Sequence, residues 1–313
     1  MRLLWLSLLF TLSLFSDAHI FVLHRFDDVR YPSTSTSTND LRDFFEYLKK
    51  NEYKVITLSR LSDALKEKQS IDPKWIVFTI DDTFKSFYNN ALELFKEYKY
   101  PFTLFVYAQA AQKNYGDYMS WQELQESAQY GEIGAHSYAH NHLVSLSAQE
   151  IMKDTNKTMQ LLKKYNLEAK AYAYPYGEYD QKVFNAISSF GFDTILNQNS
   201  GAVSEKSSRF DLDRIALTGT IDTNHALHYK YLQAKWLLPL NYPEDEILKD
   251  IEIEVEKEIK DIELYVSGHG WQKVKVKEGI IKLLFDKKLK SKRVRIIIKT
   301  ADNRYSSKII VKE

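Results

Sequence analysis

The run Trp75-Ile-Val-Phe-Thr-Ile-Asp-Asp82 sets the strongest limit on how this chain folds. Its largely apolar residues, rich in β-branched and aromatic types, lead straight into two adjacent carboxylates. An apolar run without alternation reads as a strand buried on both faces, as a parallel sheet covered by helices requires. Asp81 and Asp82 then stand at its C-terminal end, the edge where α/β folds place their chemistry. Adjacent carboxylates repel, and a cation or a shared proton usually relieves them. An Asp at a strand-to-helix turn also serves as a helix N-cap, so the pair alone supports either reading.

Around that run the pattern alternates strand and helix. A first strand spans 19–26, followed by a Ser/Thr-rich loop over 31–38 and a helix over 41–50 capped by Asn39 and Asp40. A short strand over 53–58 and a helix over 62–68 come next. Strands are expected at 75–82, 101–108, 132–136, 169–175, 193–197 and 212–217. Helices are expected at 88–98, 120–130, 147–165 and 180–190. Ser120 with Glu123, and Ser147 with Glu150, have the spacing of a capping box. Repetition of this unit predicts an α/β protein with a parallel, closed or nearly closed barrel.

After about residue 240 the period falls to two. Short strands at 251–256, 262–267, 271–276, 280–285, 293–299 and 308–311 alternate charged and apolar residues, as in a small antiparallel β-sandwich. The expected domains are therefore 19–240 and 241–313, with the boundary near Asn241–Asp245. The sandwich is acidic over 244–263 and basic over 273–312, which fits solvated strand faces or an anionic-glycan or membrane-surface contact. Every motif with chemistry precedes residue 217, so the sandwich is expected to be dispensable for catalysis.

The net charge of +1 argues against a general nucleic-acid binder. The absence of cysteine excludes disulfides, thiolate metal sites and cysteine nucleophiles. Arg2, the apolar stretch 3–15 and the small-x-small sequence Ser16-Asp17-Ala18 read as a signal peptide over 1–18, with an uncleaved N-terminal anchor as the alternative. Either places the body outside the cytoplasm, periplasmic or extracellular, and cleavage leaves no transmembrane span.

Two further stretches carry chemistry. His136-Ser-Tyr-Ala-His140 has two imidazoles at i, i+4, which a helical turn would bring to one side. With a carboxylate from a distant strand they form a two-histidine, one-carboxylate site with positions left for water and substrate. Such a site polarises a carbonyl and lowers the pKa of bound water. Asp82 would be the ligand and Asp81 the base, while His142 is assigned a structural role. In Tyr172-Ala-Tyr-Pro-Tyr-Gly177 a sharp turn exposes the Tyr176 N–H, a donor suited to an oxyanion or simply part of an aromatic turn.

These three stretches, in this order, resemble the polysaccharide deacetylases of the NodB-homology group, carbohydrate esterase family 4. The matching residues are Thr79-Ile-Asp-Asp-Thr83, His136-Ser-Tyr-Ala-His140 and Ala173-Tyr-Pro-Tyr176. The resemblance spans roughly 19–235 and implies a distorted (β/α)7 barrel. It also implies a catalytic base at Asp81 and a divalent metal, commonly Zn2+, on Asp82, His136 and His140. The reaction implied is N-deacetylation of an N-acetylglucosamine-containing polysaccharide, with release of acetate. His24-Arg-Phe-Asp-Asp28 with Tyr31-Pro-Ser-Thr34 is similar to the branch acting on poly-N-acetylglucosamine.

Three departures from the family pattern matter. Thr83 replaces a glycine, so the turn after the carboxylates is expected to avoid positive φ. Ala173 stands where the family often has the arginine that tethers the base, and Arg214 is the candidate replacement. The late family histidine that protonates the leaving amine has no clear counterpart. His24 is the first candidate for that acid, its pKa raised by Asp27 and Asp28, with His225 and His228 next. Two other classes remain open: an O-acetyl polysaccharide esterase, and a catalytically weak glycan-binding protein of the cell envelope.

Overall fold

The computed structural model describes residues 17–312, so the predicted leader up to residue 16 lies outside the described residues. Trp75–Ile80 runs through the middle of an eight-stranded sheet. The order is Ile215–Ala216, His19–Leu23, Trp75–Ile80, Thr103–Val106, Glu132–Ala135, Ala169–Ala173 and Thr194–Leu196, with Lys54–Val55 set beside the start of Trp75–Ile80. Every pairing in it is parallel, and the sheet curls into a half-barrel.

Both faces of the central strand are covered, as its unbroken apolar run predicts. Phe78 meets Phe44, Phe45 and Phe95 on the helix side. Val77 belongs to a second cluster with Ile20, Phe105 and Ala171. Each aromatic edge-to-face pair adds about 1 kcal/mol beyond its buried area, so the Phe-rich layer fixes how the helices sit on the sheet. In register, Leu23 lies opposite Ile80, so His24 and Asp81 leave the sheet at the same level.

Several elements differ from the sequence expectation for local reasons. The first helix, Thr38–Lys50, starts earlier, because Ser37 and not Asn39 or Asp40 caps it by accepting from the Asp40 N–H. The expected strand 53–58 keeps only Lys54–Val55, since Thr57 caps a helix over Leu58–Lys66. The helix after the carboxylates opens as a π-helical segment, Phe87–Ala91, before Leu92–Tyr98. A helix over Ala108–Lys113 was not expected at all. Both capping boxes form as read.

The C-terminal strands form two sheets around their own apolar cluster. One has the order Lys230–Tyr231, Arg304–Val311, Arg293–Lys299, Asp261–Val266, Gly270–Lys275. The other has the order Ala234–Leu238, Ile247–Val255, Ile280–Lys288. Strands at 230–238 thus pair with this module, ahead of the boundary expected at 241. Asp17 and Ala18, the last residues of the expected leader, are built into the fold. Ala18 exchanges two backbone hydrogen bonds with Val203, at 2.8 and 2.9 Å, and Asp17 accepts from the Tyr231 N–H. Among the described residues, no helix is long and apolar enough to cross a membrane.

Candidate functional site

The C-terminal rim of the half-barrel gathers the motif residues. Asp81 follows the central strand, its N–H bonded to the Leu23 carbonyl at 2.9 Å. Its two oxygens face Arg214 at 2.8 Å each, and neither side chain is exposed. Arg214 also donates from Nε to the Asn197 carbonyl at 2.7 Å and from a terminal nitrogen to Thr79 Oγ1 at 3.1 Å. Burial is the largest influence and pushes the Asp81 carboxyl up, but the Arg214 guanidinium, together with His136 and His24, holds that carboxyl below the usual carboxylate range. The missing family arginine is thus replaced in space by one 133 residues away.

Asp82 turns the other way. Its Oδ1 lies 2.8 Å from His140 Nε2 and 3.3 Å from His136 Nε2. That oxygen is buried and makes no well-aligned hydrogen bond, as suits lone-pair donors converging on a common point. The donor atoms of Asp82, His136 and His140 all lie within 4.8 Å of one another. His136 commits Nδ1 to the Ala173 carbonyl at 2.7 Å, which leaves Nε2 toward the site. Ala173, the position without the family arginine, therefore still serves through its backbone. The donor set fits a divalent cation. Burial favours the neutral form of Asp82, yet the two imidazoles hold it well below its ordinary value.

The histidines converge through a loop, not a helical turn. His136 to His140 contains two left-handed residues, Ser137 at φ 62° and His140 at φ 53°. Asp154, from the helix Ala148–Lys164, accepts from the N–H groups of Tyr138 and Ala139 at 2.7 and 2.9 Å and holds the loop closed. The turn after the carboxylates also takes positive φ, at Asp82 (68°) and Thr83 (57°), contrary to the expectation for a threonine. A left-handed non-glycine residue costs roughly 1–2 kcal/mol. The loop at 117–119 supports it, with Met119 N–H on the Thr83 carbonyl and Lys85 N–H on the Asp117 carbonyl, both 2.9 Å.

His24 lies at this rim, beside the two carboxylates and His136. Its pKa is lowered, not raised: burial dominates, and the charges that oppose it are Asp82 and Asp81. Asp27 and Asp28 are engaged elsewhere, Asp27 with Thr38 and Asp28 with Arg25 and Arg30. His225 and His228 are exposed residues at the short helix Thr223–Leu227, bonded to Tyr229 and Asn224.

Tyr176 takes φ 59°, ψ 2° in a turn over Pro175–Gly177. Its ring lies edge-on to His140 at 4.6 Å and stacks on His142 at 4.2 Å. His142 therefore stands beside the site, with Nδ1 2.6 Å from Glu178 Oε2. Sequence reasoning missed Asp154, Glu178, Gln198 and the module arginines Arg293 and Arg295, none of which carries a local motif.

Residues 68–195 match the polysaccharide deacetylase family model. The chain is similar to the poly-β-1,6-N-acetyl-D-glucosamine N-deacetylase of Staphylococcus aureus, 27% identical over 198 residues, 59% of this chain and 68% of that protein. It is also similar to YxkH of Bacillus subtilis, a protein assigned to the polysaccharide deacetylases, 22% identical over 175 residues. That match covers 55% of this chain and 62% of YxkH, less than two thirds of its length. Among solved structures, the fold is similar to the Streptococcus pyogenes deacetylase PplD, with a TM-score of 0.64 and 18% identity over 69% of this chain and 98% of that one. It is likewise similar to IcaB from Ammonifex degensii, with a TM-score of 0.59 and 22% identity over 65% of this chain and 92% of that one.

Proposed function

We infer that this chain, which carries a polysaccharide deacetylase domain, is an exported, metal-dependent hydrolase that removes N-acetyl groups from an N-acetylglucosamine polymer. The observation that carries this reading is the pairing of a buried, arginine-clamped carboxylate with an Asp–His–His donor set on one strand rim. Poly-N-acetylglucosamine is the proposed polymer, supported by the named activity of the Staphylococcus aureus relative.

Asp82, His136 and His140 would hold the cation, with Zn2+ proposed because imidazole and carboxylate are among its usual donors. When bound, such a cation polarises the amide carbonyl and makes a water molecule more acidic. Asp81 takes the proton from the attacking water, and Arg214 keeps it ionised and aimed for that step. The Tyr176 N–H meets the oxygen that becomes negative as the carbonyl turns tetrahedral. An amide nitrogen leaves only once protonated, and His24 is the proposed carrier. Burial keeps His24 neutral at rest, so it relays the proton removed by Asp81.

The test is acetate release from N-acetylglucosamine polymers, peptidoglycan and an O-acetylated xylan, with metal content measured on the same sample. Release from the N-acetylated polymers with about one metal per chain is the expected result. Release from the O-acetylated polymer alone would make it an esterase. Bound metal without release from any of them would make it a glycan-binding protein.

A further inference from the structure

The strand Arg293–Lys299 alternates cleanly. Val294, Ile296 and Ile298 are fully buried in the module core, so Arg293 and Arg295 point to the opposite face. That face packs on the half-barrel, where Ser307, on the neighbouring strand, accepts from the Ser200 N–H at 2.6 Å. Arg295 donates to the Gln198 carbonyl at 3.0 Å, and the Gln198 amide reaches Asp81 Oδ2 at 3.5 Å.

Arg293 reaches the turn itself. One terminal nitrogen donates to the Tyr176 carbonyl at 2.7 Å, and its Nε lies 3.0 Å from Glu178 Oε1. Glu178 is completely buried and uses its other oxygen for His142, whose ring lies flat against Tyr176. The turn is therefore held at its carbonyl by Arg293 and at its ring by His142, with Glu178 tying the two together. Such holding is required, because Tyr176 is a non-glycine residue in a left-handed conformation. Rotation out of it would swing the Tyr176 N–H away from the rim. The next residue, Gly177, is also left-handed, and a Cβ there would lie 2.4 Å from Gln198 Cβ, so the turn is pressed against the segment that Arg295 anchors.

We propose that Arg293 is a positioning residue of the catalytic site, through which the C-terminal module fixes the Tyr176 turn for oxyanion binding. The proposal rests on the deacetylase reading. It also reverses the sequence expectation that the module is dispensable for chemistry.

The test compares full-length, metal-loaded wild type with Arg293→Ala, Arg293→Lys and Ser307→Ala. Ser307→Ala weakens the same packing face without touching the turn. A displaced oxyanion donor costs on the order of 10²-fold in rate. Arg293→Ala should therefore lose kcat by roughly 10- to 100-fold with KM changed less than about threefold, metal content intact and a single unfolding transition. Arg293→Lys should recover part of that loss, and Ser307→Ala should stay within about twofold of wild type. Hydrogen exchange should quicken over residues 174–178 in Arg293→Ala alone. Wild-type kcat in Arg293→Ala, or an equal loss in Ser307→Ala, overturns the proposal. If Arg293→Ala does not fold, the same kcat and exchange comparison is made on Arg293→Lys, where an unchanged kcat and an unchanged turn overturn it. An inactive wild type would instead overturn the deacetylase reading, while exchange at the turn still decides whether Arg293 orders it.

Discussion

Asp81 and Arg214 meet through two contacts of 2.8 Å with both side chains sealed from solvent. Removing one partner strands the other charge in the interior, which typically costs 3–5 kcal/mol, or about that here. Arg214→Met should therefore lower the urea midpoint sharply, and adding Asp81→Asn should restore part of the loss. Urea unfolding of the two single variants and the double variant checks this. A double variant no more stable than Arg214→Met would show that the pair is not the source.

The base and the ligand should separate by substitution. Asp81→Asn is expected to keep its metal while kcat falls by roughly 10²-fold or more. Asp82→Asn and His136→Ala should lose metal on dialysis, as measured by elemental analysis. Swapped behaviour of the two aspartates would exchange their roles.

His24→Gln should retain metal and lose roughly 10- to 100-fold in rate. His225→Ala and His228→Ala should stay near wild type, since both residues are exposed. Full activity in His24→Gln would mean that Asp81 returns the proton to the departing nitrogen.

His19 gives a pH signature independent of catalysis. Burial drives its pKa from 6.5 down to about 4, partly opposed by its contact with the Tyr229 carbonyl. The unfolded chain thus takes up a proton near 6.5 that the folded chain refuses until about 4. Stability from this residue is complete above the higher value and drains away as pH falls between the two, by on the order of 3 kcal/mol in all. Urea midpoints across that range should fall in the wild type and flatten in His19→Gln. Identical slopes would remove His19 as the cause.

Cleavage of the expected leader should leave Asp17 and Ala18 on the mature protein. Ala18 pairs with Val203 within the half-barrel, and the Asp17 carboxylate accepts from the Tyr231 N–H of the module, so cleavage after Ala18 would discard both contacts. N-terminal sequencing of exported protein should begin at or before Asp17; a start at His19 would refute this.

Asp81, Asp82, His136 and His140 were legible because each stands just past a strand whose burial is written in local composition. Arg214 was legible only as the answer to a missing charge. Arg293 was not legible, because a charged residue alternating with Val294 and Ile296 looks the same whether it meets solvent or another surface. Its partner Tyr176 lies 117 positions earlier, and nothing local encodes that pairing. The left-handed Thr83 escaped for a related reason: its support comes from Met119, across a loop. The module's early start escaped because strands as short as Lys230–Tyr231 leave no periodic trace.

The contact between Arg293 and the Tyr176 carbonyl also gives biosynthesis a direction. A chain emerging N-terminus first presents Asp81, Asp82, His136, His140 and the Tyr176 turn long before the strand Arg293–Lys299 exists. Residue 293 arrives 117 positions after Tyr176. A chain interrupted between the two would carry every recognisable motif and still lack the guanidinium from which the Tyr176 carbonyl accepts its hydrogen bond.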